Sequence, residues 1–241
     1  MLVSGSRIVI DEISKRVGCT HEKAPHMVLR WRLLFGNPVN QPSCMFRVGA
    51  ARLVGGYLPV SYLEDWDLFA RLSELGQIVH VDVPLVMYRV HPSNTGLSAG
   101  ADRERLEPVA TQIMCCTVKA ATGLTVPPEL VWYLFRGRHV FRGNRSESQK
   151  ALNFVLQAQR QFVQQNGIDS QSVALGAAVL DDAANVLRCG GWSPWRVFQA
   201  LIAIVFCANI CCLLSPAFLK RTVKVLLIPI TVRRHLSNIG T

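Results

Sequence analysis

The segment "GGYLPVSYLEDWDLFARLSELG", residues 55–76, guides the interpretation of this chain. Its second half predicts an amphipathic helix over residues 64–75, because apolar side chains recur there every three or four residues. These side chains are Trp66, Phe69, Leu72 and Leu75. Gly76 stands where a left-handed C-terminal cap would be, so the adjacent acids Glu64 and Asp65 fall in the first turn of the helix.

These two acids have a simple structural explanation. Carboxylates in a first turn complement the helix dipole and cap free amides, which contributes about 0.3–1 kcal/mol at exposed sites. A charged helix start would therefore account for Glu64 and Asp65 without any chemistry. The neighbouring sequence has to decide between that explanation and catalysis.

Strands and short helices are predicted on both sides of this helix. Upstream we expect a strand within residues 1–10, a helix over 27–35, a strand over 43–46 and a short helix before Gly55 and Gly56. Paired glycines let the backbone turn, or let it approach a ligand closely. Downstream, "QIVHVDVPLVMYRVH" predicts two short strands separated by Pro84.

Beyond about residue 103 the pattern becomes helical up to residue 188. The predicted fold class is therefore α/β in the first part, followed by a mainly α-helical C-terminal region. We divide the chain into residues 1–98, a helical region at 99–195 and an apolar, basic segment at 196–241.

Composition indicates an anionic partner and a reducing compartment. The 241 residues are 50% apolar and carry a net charge of +10, which suits nucleic acid, anionic lipid or a phosphorylated substrate. The eight cysteines show no CxxC and no spacing typical of zinc sites, so we expect reduced thiols and a cytoplasmic location. Nucleic acid is the weakest of these partners, because "FRGRHVFRGNR" has arginines but no recognised binding motif.

The C-terminal segment contains an apolar run at residues 197–214 with basic residues on both sides. Eighteen helical residues would span about 27 Å, slightly short of the ~30 Å hydrocarbon core. Three arrangements stay open: a span, a buried helix, and a helix lying on an anionic membrane surface. The flanking charges favour peripheral attachment on the cytoplasmic face.

The motifs between residues 37 and 96 occur in a familiar order. An Asn-Pro and a Pro-Ser step precede "MFR"; a Gly-Gly-Tyr turn follows, then the acidic pair at a helix start, and finally "YRVH". In this order they resemble the acceptor half of family 2 glycosyltransferases of the GT-A fold, which are Rossmann-like. The opening "VSGS" also resembles the strand that follows the nucleotide-binding half of such enzymes, so the resemblance covers roughly residues 1–98.

The resemblance implies roles for individual residues. Asp65 would be the general base that takes the proton from the acceptor hydroxyl, and Glu64 would orient the loop or share the acceptor's hydrogen bonds. Gly55 and Gly56 would let the backbone pass close under the sugars. His91 would reach the divalent metal, Mg²⁺ or Mn²⁺, or the diphosphate.

Two further residues have alternative roles. Trp66 could stack on a sugar ring, although its helical spacing with Phe69 favours the core. Arg89 could contact the diphosphate or form a salt bridge.

The chain departs from the family pattern in one respect. The family carries an upstream half that binds the nucleotide-sugar and presents an Asp-x-Asp motif to the metal, and nothing corresponding to it precedes Met1. The "DWD" at 65–67 has this spacing but lies at a helix start. We therefore expect an inverting glycosyltransferase acting on a glycan or lipid-linked acceptor, in a truncated form inactive on its own. The alternative is a non-catalytic, membrane-associated or partner-binding remnant of the same fold.

Overall fold

The computed structural model describes residues 1–20, 24–60, 62–92, 94, 103–136, 142–169 and 172–207, without the side chains of 203 and 205–207. Contacts divide the chain into two compact units, Met1–Val140 and Phe141–Thr241. Arg138 of the arginine-containing segment and most of the predicted C-terminal segment, from residue 208 onward, lie outside the described residues.

The first unit contains a four-stranded mixed sheet built around strand β1 (Leu2–Ile10). Strand β4 (Ile78–Arg89) pairs with β1 in parallel over its whole length. Two shorter strands pair with β1 antiparallel: β3 (Met45–Phe46) at its start and β2 (Arg16–Thr20) at its end. The predicted mixed α/β class is therefore confirmed.

Strand β4 is continuous through Pro84, so the prediction of two strands broken at this proline was wrong. The pairing register between β1 and β4 shifts on both sides of Ser6, which lies opposite Pro84. Such a bulge accommodates a residue that has no N–H for the ladder. A β-carbon on Gly5 would lie 2.5 Å from the Leu85 side chain, so the close approach at this bulge requires glycine.

Five described α-helices belong to this unit: α1 (His26–Leu33), α2 (Val48–Leu53), α3 (Glu64–Leu75), α4 (Arg103–Thr122) and α5 (Val131–Leu134). Helix α3 has the predicted bounds and packs against α1, α2 and α4. Its buried face joins a core with the large side chains Trp31, Phe35, Trp66, Phe69 and Phe135. This packing positions the N-terminus of α3.

The first unit extends beyond the predicted boundary at residue 98. Helices α4 and α5 fall within Met1–Val140, although both were predicted to belong to the helical region that follows that boundary. The physical reason is that α4 packs against both α3 and α5, so its apolar face completes the core of the sheet-containing unit.

The second unit is helical, as predicted. Its described elements are α6 (Arg145–Gln165), α7 (Val173–Cys189) and α8 (Pro194–Cys207), and α7 packs against both of the others. The side chain of Asn144 caps α6 by accepting a 2.8 Å hydrogen bond from Glu147 N. Among the described residues, none of the helices has the length and apolar character needed to cross a membrane.

Candidate active site at the start of helix α3

The backbone that leads into α3 is strained. Tyr62 and Leu63 have φ values of 65° and 58°, in the left-handed region that bulky side chains avoid. Each such residue costs on the order of 1–3 kcal/mol, and the surrounding structure must hold it in place. The acidic pair Glu64–Asp65 follows immediately, so the strained turn fixes where these carboxylates lie.

Two hydrogen bonds hold the Asp65 carboxylate. Its Oδ1 accepts from Trp66 N at 2.7 Å, and its Oδ2 accepts from Asn37 Nδ2 at 2.8 Å. Asn37 is itself fixed, because its Oδ1 accepts from Val39 N at 2.8 Å. A carboxylate has about four acceptor positions, so this arrangement leaves acceptor capacity for a substrate hydroxyl. The neighbouring Glu64 is exposed.

The pKa of Asp65 is raised above the usual aspartate range, chiefly because burial disfavours its charged form. The nearby charge of Glu64 raises it further, whereas the bonds from Trp66 N and the Asn37 amide lower it. A carboxylate with a raised pKa is a stronger base than an exposed one. This property suits proton abstraction near neutral pH.

Two side chains from the preceding loops lie beside the acids. Burial raises the pKa of the Cys44 thiol, and the negative charge of Asp65 adds to the effect. Burial also raises the pKa of Tyr57, although its side chain is 48% exposed. The negative charges of Cys44, Asp65 and Glu64 raise this pKa further.

The glycine pair forms a tight turn that α3 holds in place. Gly55 and Gly56 have φ values of 85° and 66°, and a β-carbon at either position would meet no atom within 4 Å. Arg71 donates hydrogen bonds to the carbonyl oxygens of Val54 and Gly56 and forms a salt bridge with Asp67. The turn therefore explains the glycines, and a sugar passing beside them stays a prediction.

Trp66 does not face a ligand. It is 0% exposed, its Nε1 donates to Leu33 O at 2.7 Å, and its ring stacks on Phe135 with centroids 5.5 Å apart. The prediction of sugar stacking on Trp66 was therefore wrong. Its helical spacing with Phe69 had already indicated the core.

The other two predicted residues lie at the end of β4. The guanidinium of Arg89 donates to the carbonyl oxygens of Asp11 and Glu12 and to Ser14 Oγ, so it holds the loop between β1 and β2. His91 N donates to Asn94 Oδ1 at 2.6 Å within a turn. No contact among the described residues connects either side chain with Asp65, so their ligand roles stay predictions.

A metal centre would need several suitable side chains in one place. Within the described part of the chain, no three His, Cys, Asp or Glu side chains come together in this way. The second acid of "DWD", Asp67, is engaged by Arg71. The described residues by themselves therefore do not fit a metal site, and His91 stays a predicted ligand from the resemblance.

Three residues at or near this site had no predicted role: Asn37, Tyr57 and Arg71. Asn37 was part of the Asn-Pro motif, but its contact with Asp65 spans 28 positions. Arg71 lies four residues after Asp67, a spacing that indicates a possible ion pair on a helix. Nothing in the sequence indicated that Tyr57, rather than Trp66, would be the exposed aromatic residue.

Comparisons with protein-family models, with curated proteins and with solved structures each found no match.

Proposed function

We propose that the first unit is the acceptor-side half of a GT-A glycosyltransferase domain and that Asp65 is its general base. The function is inverting transfer of a sugar from a nucleotide-sugar to a glycan or a lipid-linked acceptor. In addition to the motif order, β1 and β4 pair in parallel and are joined by a long connection that contains helices α1, α2 and α3, which supports a Rossmann-like arrangement.

The environment of Asp65 is the observation that carries this proposal. A helix start explains why an acid is favoured at this position, but it does not explain why the carboxylate is half-buried with a raised pKa. Neither does it require the left-handed Tyr62 and Leu63 before it. Burial and strain of this kind cost stability, and both are concentrated at functional sites.

The reaction needs one proton acceptor on the acceptor side. Asp65 takes the proton from the acceptor hydroxyl while the hydroxyl oxygen forms a bond to the anomeric carbon. The bond from that carbon to the nucleoside diphosphate breaks, and the diphosphate leaves with the electron pair. Because attack and departure occur on opposite faces, the configuration is inverted. Glu64, exposed beside the base, binds the acceptor's other hydroxyl groups.

The donor and a divalent metal belong to the proposal through the resemblance alone. In that family the metal neutralises the diphosphate as it leaves, and no step above depends on it. In the isolated 241-residue polypeptide we expect no binding of a nucleoside diphosphate in the presence of Mn²⁺, because the resemblance covers the acceptor side only. Micromolar binding of a nucleoside diphosphate in titration calorimetry would contradict the proposal that these residues form only the acceptor side.

The second candidate function is membrane association without catalysis, and one observation favours it. Trp195 at the start of α8 is 62% exposed and its ring lies 5.6 Å from that of Phe198. The exposed Trp195, which lies next to the exposed Arg196, suits the interface of an anionic membrane. The same attachment, on the cytoplasmic face, would also bring an enzyme to a lipid-linked acceptor.

The decisive experiment begins with the DNA upstream of Met1, read in every frame for a strand–helix segment that contains Asp-x-Asp. If it is present, the longer protein is assayed for sugar transfer with Asp65→Asn. We expect turnover to fall roughly a hundredfold or more, with donor affinity unchanged, because the base is lost. Glu64→Gln should be milder, and the exposed Glu129→Gln serves as the control. Full turnover in Asp65→Asn would contradict the proposal.

A further inference from the structure

Strand β3 and helix α2 carry three of the six most exposed large apolar side chains among the described residues. Met45 in β3 is 77% exposed, and Val48 and Leu53 in α2 are 60% and 82% exposed. Helix α2 packs through its small residues instead, since Ala50 and Ala51 are buried. The large side chains of this segment therefore lie outside the core. Apolar side chains clustered on a surface in this way mark interaction sites, whereas single ones do not.

The same segment carries positive charge that no acid balances. Arg47 and Arg52 are exposed, and no carboxylate of the described residues pairs with either of them. By contrast, Arg30 and Arg71 of the same unit each form a salt bridge. The sequence contains no Asp or Glu between residues 24 and 63. Exposed apolar side chains interspersed with unpaired arginines complement a partner that is both anionic and apolar, which describes an anionic lipid surface.

The hairpin between β1 and β2 shows what an ordinary exposed apolar residue looks like in this unit. Ile13 at its tip is 83% exposed, but it has no second apolar side chain directly beside it in the sequence apart from the turn. Asp11 and Glu12 precede it and offset the charges of Lys15 and Arg16. A single apolar side chain with balanced charge gains little from an anionic surface. The hairpin therefore provides matched control positions.

Helix α2 is fixed to the helix that carries the proposed base. The two helices pack together, and Arg71 on α3 donates hydrogen bonds to the carbonyl oxygens of Val54 and Gly56, directly after α2. Asp65 lies in the first turn of α3, and Arg71 follows it by about 9 Å along the helix axis. A surface that binds α2 would therefore be held near the helix from which Asp65 acts.

We propose that Met45, Arg47, Val48, Arg52 and Leu53, the α2 surface, attach the first unit to an anionic lipid bilayer. The apolar side chains enter the interface, and the two arginines contact the lipid phosphate groups. This inference rests on the proposed function and deepens it, because attachment at this surface favours a lipid-linked acceptor over a free glycan. It concerns the first unit and does not depend on helix α8.

The test measures hydrogen exchange of the intact 241-residue chain by mass spectrometry, with vesicles of phosphatidylcholine alone or mixed with phosphatidylserine. We expect slower exchange at residues 45–58 with the anionic vesicles only. In vesicle sedimentation, Arg47→Gln and Arg52→Gln should each weaken binding about fivefold, the change expected for one basic residue at an anionic surface. Leu53→Ala should also weaken it. The matched controls Arg16→Gln and Ile13→Ala alter exposed hairpin residues and should bind like the parent.

Three outcomes would overturn the inference. The first is unchanged exchange at residues 45–58 with anionic vesicles, even where the chain binds them through α8. The second is equal losses in the α2-surface and hairpin variants, which would indicate attraction by net charge alone. The third is slower exchange at 45–58 that depends on protein concentration without lipid, which would indicate a second copy of the chain on this surface.

Failure of this inference is distinguishable from failure of the proposed function. Vesicle binding does not require Asp65 to accept a proton, so Asp65→Asn should bind vesicles like the parent. The same substitution should lower turnover in the longer protein. Loss of turnover without vesicle binding at α2 would therefore contradict only the attachment.

Discussion

The side-chain amide of Asn37 donates a 2.8 Å hydrogen bond to Asp65 Oδ2 and so connects the segment after α1 with the first turn of α3. This bond stabilises the charged form of the carboxylate and so opposes burial, which raises the pKa of Asp65. Asn37 therefore limits how far the pKa of Asp65 rises. It also holds the carboxylate in one orientation.

Removing the Asn37 amide should raise the pKa of Asp65 further. In Asn37→Ala the carboxylate loses one donor and keeps only the bond from Trp66 N. ¹³C NMR titration of the Asp65 carboxyl carbon measures the change. Asn40→Ala is the matched control, because the Asn40 amide contacts Gly5 O and Ser43 Oγ instead. An unchanged Asp65 pKa in Asn37→Ala would show that this bond does not tune the acid.

The charge on Asp65 should reduce the stability of the folded chain above the pKa of the unfolded state. Because the folded pKa is raised, the folded state binds more protons than the unfolded one between the two pKa values. Unfolding free energy of the parent therefore falls as pH increases from about 4, the ordinary aspartate value, through the folded pKa. Asp65→Asn lacks this contribution. Its stability relative to the parent should therefore increase with pH over this window in urea unfolding, and a constant difference would contradict the raised pKa.

Backbone conformation, and not crowding, should make the glycine turn sensitive to substitution. Gly55 has φ 85° and open space where a β-carbon would lie, so Gly55→Ala should destabilise by about 1–2 kcal/mol from strain alone. Gly49 also has open space, but it lies within helix α2, so Gly49→Ala should stabilise by about 0.5–1 kcal/mol. Thermal unfolding of both variants tests this prediction. Equal changes in the stability of Gly55→Ala and Gly49→Ala would contradict the explanation by backbone conformation.

The elements whose signals are local were predictable from sequence. The bounds of α3 followed from the apolar spacing and from Gly76, and its packing on α1, α2 and α4 agrees with that spacing. The left-handed conformation predicted for Gly76 was wrong, because its φ of 167° is that of extended backbone. The prediction of a break at Pro84 was wrong because a proline interrupts a strand only where the sheet requires an N–H donor at that position. The bulge that removes this need forms through pairing with β1, which no local signal reveals.

The candidate site was predictable in part for the same reason. Asp65 stood out through its motif, but its partner Asn37 is brought to it only by tertiary structure. Whether an aromatic ring near the acids is buried or exposed also depends on packing, which placed Trp66 against Phe135 and left Tyr57 accessible. Sequence spacing alone identified Trp66 as a core candidate without excluding a surface role.

His80 should make the folded chain sensitive to acid. Its side chain is 7% exposed, its Nδ1 lies 2.8 Å from Ser4 Oγ, and burial lowers its pKa, with Arg32 lowering and Asp82 raising it. The unfolded state therefore binds the proton first, so stability is lost as pH falls below about 6.5 towards the folded pKa. His80→Gln should reduce this loss in urea unfolding. The substitution should not abolish the loss of stability at low pH, because burial also lowers the pKa of His26. Identical pH profiles of stability for His80→Gln and the parent would contradict a role for His80.

The last prediction concerns membrane attachment through helix α8. Val197, Leu201 and Ile204 are buried at helical spacing, whereas Trp195 is 62% exposed and Arg196 is exposed beside it. The buried face is already used in packing within the second unit, so among the described side chains of α8 the exposed Trp195, whose ring lies against that of Phe198, can enter a membrane interface. Nearby basic residues should add about 1 kcal/mol each at an anionic surface.

Flotation with anionic and neutral vesicles tests this attachment. We expect binding to anionic vesicles only, release by salt, and weaker binding by Trp195→Ala. Ile13→Ala, which alters an 83% exposed isoleucine of the first unit, should bind like the parent. Carbonate-resistant binding would indicate a span in the C-terminal segment instead, and no binding to either vesicle would contradict membrane attachment.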